Sequence, residues 1–268
     1  MDASGVICET FGTRRALIGV VHVEALPGTP RGRLSVNAIA ASAVDEARKL
    51  DAAGFDGVVI ENMHDRPYVQ GSVGPEVTAA MAVIGTAVRS AVDLPLGVQV
   101  LAGANREALA VALACGAHFV RVEGFVFTHV GDEGVHDACA GDLLRYRKAI
   151  GAEGIRVFAD IKKKHASHAL TADVDLLDTA RAAEFFLADG LIVTGTATGS
   201  PTAPTDVDAV AGATALPTLV GSGIDAVNIA QYAAADGLIV GSSLKVHGHW
   251  SEPIDPDKAR TLVDAFNG

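Results

Sequence analysis

Carboxylates, amines and an imidazole stand where the apolar runs of this chain stop. His22 and Glu24 end ALIGVVHVE, Glu61, Asn62 and Asp65 follow GVVI, Gln99 ends LGVQ, and Arg121 and Glu123 end HFVRVE. Asp160 and Lys162 end RVFADIK, and Thr194, Gly195 and Thr196 follow GLIV. A carboxylate at the end of an apolar run is either paired or poised for proton transfer, because burying it alone is costly. Glu61, Glu123 and Asp160 are therefore acid/base candidates, either as site carboxylates or as partners of a base such as Arg121, and His22 joins them as a titratable neighbour. Strand alternation puts Asp160 and Lys162 on one face, where they relay a proton or form an ion pair. Lys162 is also the candidate amine for a Schiff base, while Lys163 and Lys164 read as a solvated or anion-attracting rim. Glu61, Asp65, Glu123 and Asp160 together form an oxygen-rich set suited to magnesium. No HExxH pattern, paired Cys/His spacing or nucleophile elbow occurs, so zinc and acyl-enzyme chemistry are not expected. Glu24, Asn62, Gln99, Thr194 and Gly195 are candidate ligand contacts.

Two later runs end alike. LVGSG places Gly221, Ser222 and Gly223 after one, and LIVGSS places Gly241, Ser242 and Ser243 after the next, with Lys245 close behind. Glycine lets the backbone approach an anion, and free amides and serine hydroxyls can donate to it. A helix over Ile224 to Ala235, capped by Asp225 or Ser222, would add its positive end. These residues form an expected phosphate site, with Lys245 reaching the same anion.

Such groups need elements to hold them. Eight nearly continuous apolar runs start at Ala16, Gly57, Leu96, His118, Arg156, Gly190, Pro217 and Gly237. Continuous hydrophobicity marks strands buried on both faces, as in a parallel sheet. Each is followed by a helical pattern, for example Val36, Ile39, Ala40, Ala43, Val44, Ala47 and Leu50, with Ser35 as cap and Gly54 as stop. Pro75 suits a first turn, Asn105 and Gly116 bracket another helix, and Asp255 with Pro256 opens the last. Eight strand–helix units in this length specify a TIM (β/α)8 barrel, an α/β fold whose chemistry sits at the carboxyl ends of the strands. An open doubly wound sheet is the competitor. The motif AA(G)xDG(L/V)IV at Ala52–Val59 and Ala234–Val240, with a variant at Ala188–Val193, recurs on the helix-to-strand side and favours the barrel. The connection from Phe125 to Asp142 reads as an elaborated loop inside one domain over residues 1–268.

Composition narrows the partners. The 268 residues carry 21 Lys plus Arg against 32 Asp plus Glu, a net charge of −11, and no basic stripe offsets it. Nucleic acid is excluded as an expected partner. No stretch has the length of a membrane span, the first residues lack a signal-peptide order, and the three scattered cysteines suggest neither disulfides nor zinc. A cytoplasmic protein, possible as a homo-oligomer, is the expectation.

VVHVEALPGTP, AAGFDGVVIENMHDRPY, GVQVLAGANREALAVALACGAHFVRVEG, ADIKKKHA, ADGLIVTGTATGSPT and TLVGSGI together resemble the BtpA/SgcQ family of TIM-barrel proteins over most of residues 17–245. The stretch from Gln99 to Arg106 departs from the family pattern Asn-Val-Leu-Arg-Asn. The resemblance implies two functions. The family takes its name from a factor needed for photosystem I accumulation, which implies a non-catalytic assembly role; members in non-photosynthetic organisms are presumed enzymes. From the residues, the expected function is an enzyme acting on a small phosphorylated metabolite, a sugar or nucleoside phosphate, by isomerisation, lyase chemistry or glycosidic-bond hydrolysis.

Overall fold

Eleven strands follow one another along the described residues of the computed structural model, which are 3–195 and 201–268. They are β1 (Ala16–His22), β2 (Gly57–Glu61), β3 (Leu96–Gln99), β4 (Phe119–Val122), β5 (His129–Gly131), β6 (Gly134–His136), β7 (Arg156–Ile161), β8 (Ala166–Ser167), β9 (Gly190–Val193), β10 (Thr218–Val220) and β11 (Gly237–Val240). Eight of them close a barrel in the order β1-β11-β10-β9-β7-β4-β3-β2, every pair parallel. This is the TIM barrel that the strand–helix alternation predicts. The short β5, β6 and β8 form a separate antiparallel sheet beside the mouth, so the elaborated loop after β4 is partly a hairpin.

The helices are α1 (Ala3–Phe11), α2 (Val36–Ala53), α3 (Pro75–Ala91), α4 (Asn105–Cys115), α5 (Ala140–Ala149), α6 (Leu176–Phe185), α7 (Pro204–Ala213) and α8 (Pro256–Asn267). Ser35 caps α2 by accepting from the Ala38 amide, and Gly54 ends it in the left-handed region at φ 95°. Asp255 caps α8 ahead of Pro256. One expected helix is missing. Ile224–Ala235 contains only a 3-10 turn at Ile229–Tyr232, because Asp225 accepts from the amides of Val227 and Asn228 and folds the chain into a side-chain-capped turn instead.

The repeated DG motif builds the amino-terminal rim. Asp56, Asp189 and Asp236 each donate a backbone amide to the strand before them (Leu17, Val157 and Thr218 carbonyls) and accept the same residue's N–H on a carboxylate oxygen, at 2.8 Å in each case. His118 repeats the device with Leu96, its Nδ1 replacing the carboxylate at 3.1 Å. These side chains occupy backbone donors that would otherwise be orphaned at the strand starts.

Inside the barrel, Phe119 and Phe158 pack with Ile18, Val59, Ile192, Leu219 and Ile239. Gly97 faces Phe119 so closely that an added Cβ would lie 2.3 Å from the ring, and a Cβ on Gly190 would lie 2.7 Å from Phe158. Small residues on one strand thus make room for rings on the next. Helix α1, which the sequence reading missed, brings Val6, Ile7 and Phe11 under this layer, with the Phe11 ring edge-on to Phe119 at 5.3 Å between centroids. Full burial of each such side chain is worth about 1.5–3 kcal/mol. The apolar plug leaves the carboxyl ends of the strands as the place for polar groups. No helix among the described residues is long and apolar enough to cross a membrane.

Candidate active site

Period-2 alternation lines the carboxyl-terminal mouth with the next inward residue of each strand. Above Val20 stands His22, above Val59 stands Glu61, and above Phe119 stands Arg121. The resulting cavity is about 580 Å³. His22, Glu61, Gln99, Glu123, Gly221–Gly223 and Gly241–Ser243, all expected from the sequence, line it. Glu24, Asn62, Asp65, Thr194, Gly195 and Lys245 do not.

Glu61 and His22 are register partners across β2 and β1. The Glu61 carboxylate has no hydrogen bond or ion pair among the described residues, and burial raises its pKa, opposed by the charges of Arg121 and Lys164. His22 Nδ1 lies 2.7 Å from the Trp250 carbonyl, which can only accept, so Nδ1 carries the hydrogen and Nε2 is left as an acceptor. Burial, then the Lys245 charge, hold the His22 pKa down to about 3, so the ring is neutral at pH 7. Gly241 makes room for this ring: a Cβ there would lie 3.2 Å from Nε2.

Asp160 and Glu123 are committed elsewhere. Asp160 is gripped by Arg121, with Nε 3.1 Å from Oδ2 and Nη2 3.1 Å from Oδ1, a buried fork-to-carboxylate pair. It sits behind the guanidinium and borders a small hollow outside the main cavity. Gly221 makes room for Arg121, since a Cβ would meet Nη2 at 3.1 Å. Glu123 accepts from Lys163 Nζ at 3.1 Å and from Gln99 Nε2 at 3.3 Å. Gln99 Oε1 is buried without a donor among the described residues and is available to a ligand.

The lysines after β7 are not arranged as alternation predicts. Lys162 adopts φ 49°, in the left-handed region, and its Nζ turns outward to the carbonyls of Val174 (2.6 Å) and Thr171 (3.3 Å). It neither pairs with Asp160 nor lines the main cavity. Lys163 and Lys164 do line it, which replaces the solvated-rim reading. Burial alone would lower the Lys163 pKa, but Glu123 and Glu133, 3.1 and 3.3 Å away, raise it, so this amine stays charged. Burial, then Arg121, lower the Lys164 pKa.

Other expectations are corrected by their partners. Lys245 is 1% exposed and donates to Glu46 of α2 at 2.6 Å, so it braces the barrel wall and does not reach an anion. Asp65 accepts from the Leu26 amide, Thr29 Oγ1 and Asn62 Nδ2, while Asn62 Oδ1 accepts from the Leu101 amide; both tie loops together. Glu24 lies 3.9 Å from His64 Nδ1, away from the cavity. Thr194 Oγ1 accepts from the Lys164 amide at 3.2 Å and so positions that loop. Thr196 lies outside the described residues. Of the carboxylates proposed for magnesium, Asp65, Glu123 and Asp160 are spent on these partners and Glu61 stands alone, and among the described residues no three Asp, Glu, His or Cys side chains gather as metal ligands. The donor set does not fit a resident metal. The sequence reading also missed an apolar wall of Met63, Tyr68, Leu101 and Trp250, with Arg66 4.5 Å over the Trp250 ring. The single tryptophan of the chain was the available signal.

The BtpA family model matches residues 13–268. The chain belongs to the BtpA family. The protein F13E9.13, mitochondrial, of Caenorhabditis elegans is 44% identical over 268 residues, covering 98% of this chain and 97% of that one. Photosystem I biogenesis protein BtpA of Synechocystis is 38% identical over 260 residues, covering 96% and 90%. Among solved structures, thiamine phosphate pyrophosphorylase from Pyrococcus furiosus superposes with a TM-score of 0.58 at 14% identity, covering 95% and 96%. That likeness is one of fold.

Proposed function

We propose that this BtpA-family chain is an enzyme acting on a small phosphorylated metabolite, a sugar or nucleoside phosphate, with Glu61 as proton donor and His22 as a neutral acceptor. The observation that carries the reading is Glu61, a desolvated carboxyl without an ion pair among the described residues, facing the cavity beside an imidazole that stays uncharged. Burial shifts such a carboxyl toward its protonated form, the form a general acid requires. Isomerisation, lyase chemistry and glycosidic hydrolysis all need that proton transfer.

The phosphate falls to the two glycine–serine turns. The amides of Gly223, Ser242 and Ser243 make no hydrogen bond among the described residues, and Gly223 takes φ 68° to aim its backbone. Asp225 also lines this end, but its Oδ1 is turned onto the amides of Val227 and Asn228. Ser243 Oγ donates to the Ile224 carbonyl at 2.6 Å and so links the two turns. Arg121, Lys164 and Gln99 Oε1 face the middle of a ligand, and the Trp250 wall suits its ring. The superposing structure is named for thiamine phosphate, which accords with a phosphorylated ligand in a barrel of this fold.

The Synechocystis relative supports a second reading, a non-catalytic assembly factor. A nematode relative at 44% identity argues for a role independent of photosynthesis. Incubation with a metabolite extract, followed by mass spectrometry, separates the two. The enzyme reading expects a phosphorylated compound to be consumed, and Glu61→Gln to slow consumption by about 10²–10⁴-fold while still retaining the compound. Retention without consumption by the native chain would establish the binding role instead.

A further inference from the structure

We infer that Lys164 is a covalent nucleophile whose amine forms a Schiff base with a carbonyl carbon of the substrate. This rests on the reading above for the phosphate and for Glu61 as proton donor, but not for the amine. Its ground is the backbone after β7, where two non-glycine residues, Lys162 at φ 49° and His165 at φ 54°, take the left-handed region within four positions. Such conformations persist only where surrounding structure imposes them, and they gather at functional sites. Here the first turns Lys162 out to its two carbonyls and ends strand alternation, so that Lys163 and Lys164 enter the cavity together.

The two amines then differ in company. Lys163 is bound by Glu123 and Glu133 and keeps its proton. Lys164 Nζ has no carboxylate within ion-pairing distance among the described residues, while its backbone is fixed by Thr194. The neighbouring Arg121 cannot release a proton, so the cost of two cations in a shielded space falls on Lys164. A lysine desolvated beside another cation is the activated form of this nucleophile.

The step balances without an oxidant. The neutral Nζ pair forms an N–C bond as the carbonyl π pair moves to oxygen, which takes a proton from the Glu61 carboxyl. The nitrogen returns one proton to Glu61, and the carbinolamine hydroxyl leaves as water after taking that proton and the nitrogen pair forms the C=N bond. The sum is amine, carbonyl and one proton giving a protonated imine and water. That imine withdraws electrons from the adjacent C–H or C–C bond, so the substrate class is a carbonyl phosphate and the reaction an isomerisation or a carbon–carbon cleavage.

The probe is pyridoxal 5′-phosphate, an aldehyde carrying a phosphate, trapped with borohydride on the intact chain and located by peptide mass mapping. Pyridoxal and inorganic phosphate serve as controls. Lys164 is expected to be marked at least tenfold faster than the exposed Lys148, with a rate that reaches its plateau below the ordinary lysine range, and Lys164→Arg is expected to lose that adduct. Marking of Lys162 or Lys148 ahead of Lys164 in the native chain overturns the inference, whatever the variant does. If calorimetry shows inorganic phosphate bound but Lys164 is unmarked, the nucleophile fails and the phosphate reading survives. If pyridoxal marks Lys164 as fast as its phosphate, the nucleophile stands and the phosphate turns fail.

Discussion

Replacing Lys245 by Met tests whether this lysine serves a ligand or the wall. Its Nζ is buried against Glu46 Oε2 at 2.6 Å, while Glu46 Oε1 accepts from the Ile254 amide at 2.8 Å. The substitution leaves the Glu46 charge buried with one partner gone, a change that costs about 3–5 kcal/mol. At about 2.1 cal/mol/K per residue, 268 residues unfold with an entropy of about 0.56 kcal/mol/K, so the midpoint falls by about 5–9 °C. Converting Glu46 to Met as well removes the stranded charge but orphans the Ile254 N–H, which costs about 1–3 kcal/mol, so the double variant melts about 2–5 °C below the native chain. Scanning calorimetry of the two variants measures both, and titration with inorganic phosphate completes the assay. Phosphate affinity should be unchanged because Lys245 does not line the cavity. A single variant that melts within a degree of native, or one that loses phosphate binding, refutes the brace and restores the anion role.

Acid should weaken the fold through His129, whose pKa burial and then the Lys163 charge hold down to about 4. Because the unfolded value is about 6.5, the unfolded chain binds more protons between these limits, so this stability is complete above about pH 6.5 and is lost as pH falls toward 4. The loss reaches about 2 kcal/mol by pH 5; urea titrations at pH 7 and pH 5 should show a shallower decline in His129→Gln, and parallel declines would contradict it. Gly97→Ala should cost about 1–3 kcal/mol, since its Cβ would lie 2.3 Å from the Phe119 ring, and Phe119→Leu in the same chain should recover part of that; absence of recovery in denaturant melts would reject the packing account.

The barrel was readable because its strands are buried on both faces, which leaves continuous apolar runs, and because polar residues interrupt them at one end only. The DG repeat was readable as a pattern, and its cause is the Asp carboxylate that accepts the Leu17, Val157 or Thr218 amide. Glu61, His22 and the two glycine–serine turns followed from their position at strand ends. Partner choice was not readable. Glu46 meets Lys245 across 199 residues of sequence, and Asp160 takes Arg121 although Lys162 is nearer along the chain. The exchange of roles between Lys162 and Lys164 turns on a left-handed backbone at residues with no glycine to announce it. The missing helix after β10 reflects a local competition, in which Asp225 captures two amides before a helical ladder can use them.

Helix α1 and the phenyl layer above it plug the amino-terminal end of the barrel, so among the described residues the cavity lies at the carboxyl-terminal mouth. Among the described residues, a molecule held beside Glu61 shares the cavity with the glycine–serine turns and Trp250. Under the proposed function, traffic would be sequential: a co-reactant would have to precede the phosphorylated ligand or be made beneath it, and water released at the floor would wait until the ligand above it departs. Under that function, the last product to leave would occupy the place of the next substrate and so inhibit competitively.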